Sequence, residues 1–237
     1  DLVNVLVQFD ESVIINTTGG TPYLVLETGT TDRNATYASG SGSSIFTFTY
    51  TVQSGDTTQD LDYVSSSSLI LNGGTIQNSN ARNAVLTLAN PGTAGSLGAN
   101  KAIVIDTTPP SVGPIDITSG TDSGVDDTIT NHGNPVITFT GEVGLTITLA
   151  GPNNQLLNSS QYTVAYDNTT STYTVTLVDA TLNTGGINDP FGTYSGSNLT
   201  GNAANALDGL YTIKAADLAG NQTNVGTFTI DTTPPSV

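Results

Sequence analysis

Acidic side chains are the groups in this sequence whose type and spacing could do chemistry. Seventeen of its twenty acids are Asp and only Glu11, Glu27 and Glu142 are Glu, against four Lys and Arg, so the net charge is −16. Asp is the short carboxylate of turns and of oxygen-lined calcium loops, and a surface that only needed solubility would use more Glu. Calcium takes about six to eight oxygens, so acids must converge on it from several loops. The candidates are Asp122, Asp126 and Asp127 in one loop, Asp217 and Asn221 at the ends of Asp217-Leu218-Ala219-Gly220-Asn221, Asp106 and Asp231 at two chain exits, and Glu142. The expectation is that Asp106 meets the loop acids at the near pole of a second module, forming an interdomain site, and that Asp231 would serve a further module likewise. Asp60 and Asp62 alternate with Leu61 and Tyr63, so both face one side; with Asp56 they form either a second site or a structural cap. The competing reading is turn chemistry, in which each Asp accepts hydrogen bonds from its own loop.

Other chemistry has little to stand on. Cys is absent, which removes thiol chemistry and disulfides, and His132 is the single histidine, which leaves zinc without its usual ligands. No Ser has a recognisable His partner, no carboxylate pair stands out as a glycosidase pair, and no Trp could line a sugar subsite. No acid, Lys and Asn pattern around Lys101 or Lys214 suggests an internal isopeptide bond. The chain is therefore read as no enzyme. Nucleic acid is excluded by the missing cationic footprint, and no apolar run is long enough to cross a membrane. With neither Met nor a leader at its start, the sequence reads as an internal piece of a longer secreted chain, and metal is the expected staple where disulfides are lacking.

The elements that must position these acids are short strands. Asp-Thr-Thr-Pro-Pro-Ser-Val occurs at 106–112 and again at 231–237, 125 residues apart, each time after a strand-like run. An identical exit at that spacing marks two consecutive modules, 1–108 and 109–237, joined by a short linker whose Pro109 and Pro110 limit bending. In the first, strands are expected at 3–9, 23–26, 35–37, 45–52, 69–71, 84–88 and 102–105; Phe46, Phe48 and Tyr50 share one face of the clearest of them and Thr47, Thr49 and Thr51 the other. In the second they are expected at 115–117, 135–140, 145–149, 162–166, 172–177, 209–215 and 226–230, with a hairpin around Asp167-Asn168-Thr169-Thr170-Ser171. About seven short strands per module predict two tandem immunoglobulin-like β-sandwiches, all-β throughout. The stretch 180–208 has few strand signals and is expected to be a long loop or a single strand within loops.

Several of these segments resemble the repeats of giant bacterial surface adhesins of the biofilm-associated type and their type I-secreted relatives. In the first module the resemblance is carried by Phe9-Asp10-Glu11-Ser12-Val13, Ala35-Thr36-Tyr37-Ala38-Ser39-Gly40, Asp60-Leu61-Asp62-Tyr63 and Leu71-Asn72-Gly73-Gly74-Thr75-Ile76. In the second, Asp122-Ser123-Gly124-Val125-Asp126-Asp127, Asp208-Gly209-Leu210-Tyr211 and Asp217-Leu218-Ala219-Gly220-Asn221 resemble the bacterial Ig-like domain of the same adhesins. The resemblance implies extracellular extender modules at a bacterial cell surface, stiffened by structural Ca²⁺, partnered by neighbouring modules of the same chain and serving adhesion and biofilm formation. Two departures stand out. Asn78 and Arg82 replace the acid and the glycine that such repeats carry after the Gly-Gly-Thr-Ile strand. The family repeat also begins ahead of Asp1, so the first module is expected to lack its opening strand. Two rivals follow: a subunit of a polymeric fibre that self-assembles by strand donation, and a glycan- or ice-binding module, hinted at only by the row of Thr47, Thr49 and Thr51.

Overall fold

A computed structural model of the chain describes residues 1–178 and 208–233, together with the backbone of 194–195 and 198–199. The chain divides into two units, Asp1–Thr108 and Pro109–Val237. Both are all-β and immunoglobulin-like.

The first unit is built on strands β1 (Leu2–Asn16), β2 (Tyr23–Glu27), β3 (Arg33–Ser39), β4 (Ser43–Thr51), β5 (Thr57–Thr58), β6 (Asp62–Tyr63), β7 (Leu69–Ile70), β8 (Thr75–Asn78) and β9 (Ile105–Asp106), with a four-residue helix α1 (Leu97–Asn100). A seven-stranded sheet runs β6-β2-β3-β4-β1-β8, with β7 also on β2, and β5 pairs with β9. Alternation makes β4: Phe46, Phe48 and Tyr50 are buried, while Thr47, Thr49 and Thr51 face outward. Phe9 and Tyr37 pack on Phe46, with centroids 5.2 and 5.6 Å away. β1 is longer than the expected 3–9. Its register slips between Gln8 and Val13, so that Leu2 to Gln8 pair with β4 and Val13 to Asn16 pair with β8. The slip is a bulge that sets Asp10, Glu11 and Ser12 out in solvent. At the turn after β1, a Cβ on Gly20 (φ +153°) would lie 1.7 Å from the Asn72 carbonyl, so only glycine lets the two loops meet.

Two expected strands are absent as ladders. Residues 84–88 alternate half-buried and exposed as a strand would, yet are not in a sheet; Ala84 N–H donates to Ile76 O and Leu88 N–H to Ser66 O, which hold the segment at its ends. Of 102–105, only Ile105 enters a ladder. Sequence alternation reports which side chains face the core, but a ladder also needs a neighbouring backbone.

The second unit has β10 (Asp116–Ile117), β11 (Ile129–Thr130), β12 (Val136–Thr140), β13 (Thr146–Ala150), β14 (Tyr162–Asp167), β15 (Thr172–Leu177), β16 (Tyr194–Ser195), β17 (Asn198–Leu199), β18 (Gly209–Ala216) and β19 (Gln222–Ile230). Two four-stranded sheets form, β10-β12-β15-β14 and β11-β19-β18-β13. Their inner faces supply Ile137, Phe139, Tyr173 and Val175 from one side and Leu149, Tyr211, Ile213 and Phe228 from the other. The chain entering this unit contributes to both sheets, with β10 antiparallel to β12 and β11 parallel to β19. Of the expected loop at 180–208, β16 and β17 form a short antiparallel pair, and the remainder up to Leu207 lies outside the described residues.

Candidate functional site

The acids singled out from the sequence fall into three structural situations. In the first, the carboxylate is consumed by its own turn. Asp217 closes the connection from β18 to β19: its Oδ1 accepts from Asn221 N–H and its Oδ2 from Asn221 Nδ2, both at 2.9 Å. Burial alone would raise its pKa, but these bonds and the amides of Ala219 and Gly220 leave it lowered. Asp127 Oδ1 accepts from Ile129 N–H at 2.7 Å. Asp106 and Asp231 make the same turn in the two copies of the repeat: Oδ1 accepts from the amide two residues on, Thr108 at 2.9 Å and Thr233 at 3.0 Å.

In the second situation acids brace a pole of the first unit. Asp60 and Asp62 do face one side, where Asp60 Oδ1 accepts weakly from Ile103 N–H at 3.4 Å. Asp62 is buried, and accepts from Tyr63 N–H and Gly92 N–H at 2.9 Å each. Its desolvation would raise the pKa; the amides of Gly92, Tyr63 and Gly98 and the hydroxyl of Ser96 outweigh that and lower it. A Cβ on Gly98 would stand 3.0 Å from Asp62 and 3.2 Å from Asp60, so the loop carrying α1 is fitted onto these two carboxylates. Asp56 is 1% exposed and forms the tightest such group: Oδ1 meets Arg33 Nε at 2.8 Å, and Oδ2 accepts from the Tyr50 hydroxyl and from Gln53 N–H. Burial pushes the Tyr50 hydroxyl upward in pKa, and Asp56 beside it adds to the shift.

In the third situation an acid keeps an oxygen unused. Asp122 and Asp126 line one open cleft of about 490 Å³ with Asp116, Thr118, Ser119 and Gly124. Asp122 Oδ1 is enclosed and has no hydrogen-bond partner among the described residues, a costly arrangement unless something completes it. A complete cation shell is not assembled: no three His, Cys, Asp or Glu side chains converge among the described residues. Glu142 lies apart on the exposed turn between β12 and β13, where its carbonyl accepts from the Tyr173 hydroxyl at 2.9 Å.

Two acids gain importance that their local sequence did not suggest. Asp116 reads as a strand residue between Ile115 and Ile117, yet it opens onto the Asp122 cleft. Asp208 precedes β18 and holds the second copy of the repeated exit: Oδ1 accepts from Thr232 N–H at 2.8 Å and Thr232 Oγ1 at 2.7 Å, and Oδ2 from the Thr233 hydroxyl. A partner 24 residues away leaves no local signal.

No protein-family model matches the chain, and no curated protein matches it. Among solved structures it is similar to the I-band fragment I67-I69 from titin, at 10% identity and a TM-score of 0.37, covering 97% of this chain and 59% of that one. It is also similar to domains A168-A170 from titin, at 13% identity and a TM-score of 0.28, covering 98% and 63%. The chain thus spans about three fifths of the length of those structures.

Proposed function

We propose that this chain is a pair of spacer modules from an extracellular bacterial surface adhesin, extending an adhesive tip and stiffened by calcium. The observation that carries the spacer reading is the repeated exit. Two units end on the same residues, and in both copies the leading Asp caps the amide two residues on, so each unit releases the chain through the same turn. Prolines directly after it restrict the path further. Supporting calcium is the enclosed, unpartnered Asp122 Oδ1. Asp122 would hold the ion, with Asp116 and Asp126 on the same cleft. Bound Ca²⁺ would offset the mutual repulsion of these carboxylates and restrain a loop that carries no disulfide.

The test is thermal unfolding of the chain in millimolar Ca²⁺ and in chelator, with small-angle scattering of both samples. The expected outcome is a rise in Tm of roughly 5–10 °C with calcium, largely lost in Asp122→Asn. Superimposable melting and scattering curves would remove calcium from the proposal and leave the proline-led exits as the source of stiffness.

A further inference from the structure

The connection from β13 to β14 builds a groove that the spacer reading leaves without a role. β13 and β18 lie side by side, with Thr148 opposite Lys214 and Ala150 opposite Thr212. Burial alternates along both strands, so these four side chains stand on the outer face while Ile147, Leu149, Tyr211 and Ile213 go to the core. The chain then leaves β13 at Gly151, makes the short turn Pro152–Asn154 and comes back. Gly151 N–H donates to Gln155 O at 2.8 Å, Leu156 bridges to Ala150, and Leu157 N–H donates to Leu149 O at 2.9 Å. Pro152 seats this excursion on β18, where a Cβ on Gly209 would lie 2.8 Å from the proline ring. Strand face and excursion enclose a groove of about 310 Å³, lined by Thr148, Ala150, Asn154, Leu156, Thr212 and Lys214.

The polar groups of this groove are free. Among the described residues Lys214 has no acidic partner, the one ion pair being that of Arg33 with Asp56. Nor do the side chains of Thr148, Asn154 and Thr212 make a hydrogen bond among the described residues. The turn holds Asn154 in the left-handed region, at φ +59°, which asparagine tolerates better than most side chains. Leu156 is 65% exposed beside it. No acid lines the groove, although the chain carries a net charge of −16. One cation, one amide and two hydroxyls therefore surround an aliphatic floor, the mix of a small-ligand site.

We infer that this groove is a subsite for an acidic sugar, a hexuronate, with its carboxylate on Lys214. The single ammonium matches a single negative charge; a phosphate, closer to two, would meet more repulsion from the surrounding acids. The Asn154 amide and the hydroxyls of Thr148 and Thr212 both donate and accept, as ring hydroxyls require. The C–H face of the ring covers Ala150 and Leu156. A fatty carboxylate would give the amide and hydroxyls nothing to do, and a neutral sugar would leave the ammonium idle. With no aromatic ring on the groove, affinity for one sugar is weak, on the order of millimolar. The groove shares no residue with the Asp122 cleft, so it stands independently of calcium.

The experiment titrates the whole chain and follows its backbone amides by NMR, in chelator so that calcium carried by the uronate plays no part. The probes are methyl glucuronoside, methyl glucoside, which has a hydroxymethyl group in place of the carboxylate, and acetate. The expected result is saturable shifts with the glucuronoside at Thr148, Asn154, Thr212 and Lys214, with binding about fivefold weaker for the glucoside and weaker still for acetate. Lys214→Gln, at an exposed position, should bring the two sugars level without lowering Tm. Asn154→Gly keeps the left-handed turn but removes the amide, and should weaken both sugars about threefold. Three results would overturn the inference: no saturable shift at these amides with the glucuronoside, a glucoside that binds equally well to the parent chain, or acetate that binds as well as the glucuronoside and so leaves no place for a sugar.

Discussion

The two units differ, among the described residues, in how far their apolar side chains are withdrawn from water. Among the described residues, eleven apolar side chains of the first unit are packed only partly against its core and four of the second are. The difference comes from backbone pairing more than from composition. The second unit sends β10 and β11 to separate sheets and covers an edge of each, while the first has β1 alone, shared between β4 and β8. A β-sandwich is therefore finished by its least conspicuous strands, two residues long here.

The sharpest way to break this comparison is to remove one ring from each core. Phe228 is fully buried and stacks on Tyr211 at 5.0 Å. Phe228→Ala should cost about 4 kcal/mol, since a sealed core cannot refill the cavity. Phe9→Ala, at the margin of the first unit, should cost about 1–2 kcal/mol, because that side chain is only partly withdrawn from water. Urea unfolding read at amides of each unit measures both; equal costs would mean that Phe9 is withdrawn from water as fully as Phe228.

Next in size is Asp56→Ala. It would leave Arg33, itself 26% exposed, without its partner, and Tyr50 with a buried hydroxyl unpaired. About 2–3 kcal/mol should be lost from the first unit alone. Acid should act on the same residues. The hydrogen bonds on Asp56 and Asp62 outweigh burial and hold both below the ordinary carboxylate pKa in the fold, so the unfolded chain binds protons more readily. Their stabilisation is complete above that value and is lost as pH falls through it toward the folded pKa. Asp167, Asp208 and Asp217 in the second unit are lowered as well, but by hydrogen bonds in exposed or half-buried turns. Below about pH 4 the first unit should therefore lose amide protection before the second; the reverse order would mean that the buried acids are not what holds the first unit together.

What could be read from the sequence divides along physical lines. The sandwich class and the core faces were legible, because alternation in segments such as 45–52 and 172–177 records burial directly. Alternation failed at 84–88, where burial alternates but only the end amides, Ala84 and Leu88, bond to neighbouring backbone. Helix α1 was not anticipated; four residues capped by Ser96 carry too little periodicity to notice. Among the acids, Asp217 and Asn221 were found by their turn spacing, and that same spacing lets them satisfy each other. The Asp122 cleft was half legible: Asp122 and Asp126 share a loop, but Asp116 reads as part of a strand, and the turn in which the Asp122 amide bonds back to Thr118 sets it on the same cleft.

The smallest expected effect concerns the feature that the units share most closely. Both copies of the exit make the same turn on the leading Asp, yet they are fastened differently. Thr107 Oγ1 donates to the backbone carbonyl of Asp56 and accepts from Gly55 N–H, each at 2.9 Å. In the second copy the Asp208 carboxylate takes the hydroxyls and an amide of Thr232 and Thr233. Each fastening rests on one side chain: the Thr107 hydroxyl, bridging two backbone groups, in the first copy, and the Asp208 carboxylate in the second. Asp208→Ala should thus cost only about 1 kcal/mol globally, but it should free the Thr232 amide to exchange at close to the rate of an open loop. The Thr108 amide in the same molecule serves as the internal reference. If the Thr232 amide stays as protected in Asp208→Ala as in the parent chain, the Asp208 carboxylate is not what orders the second exit.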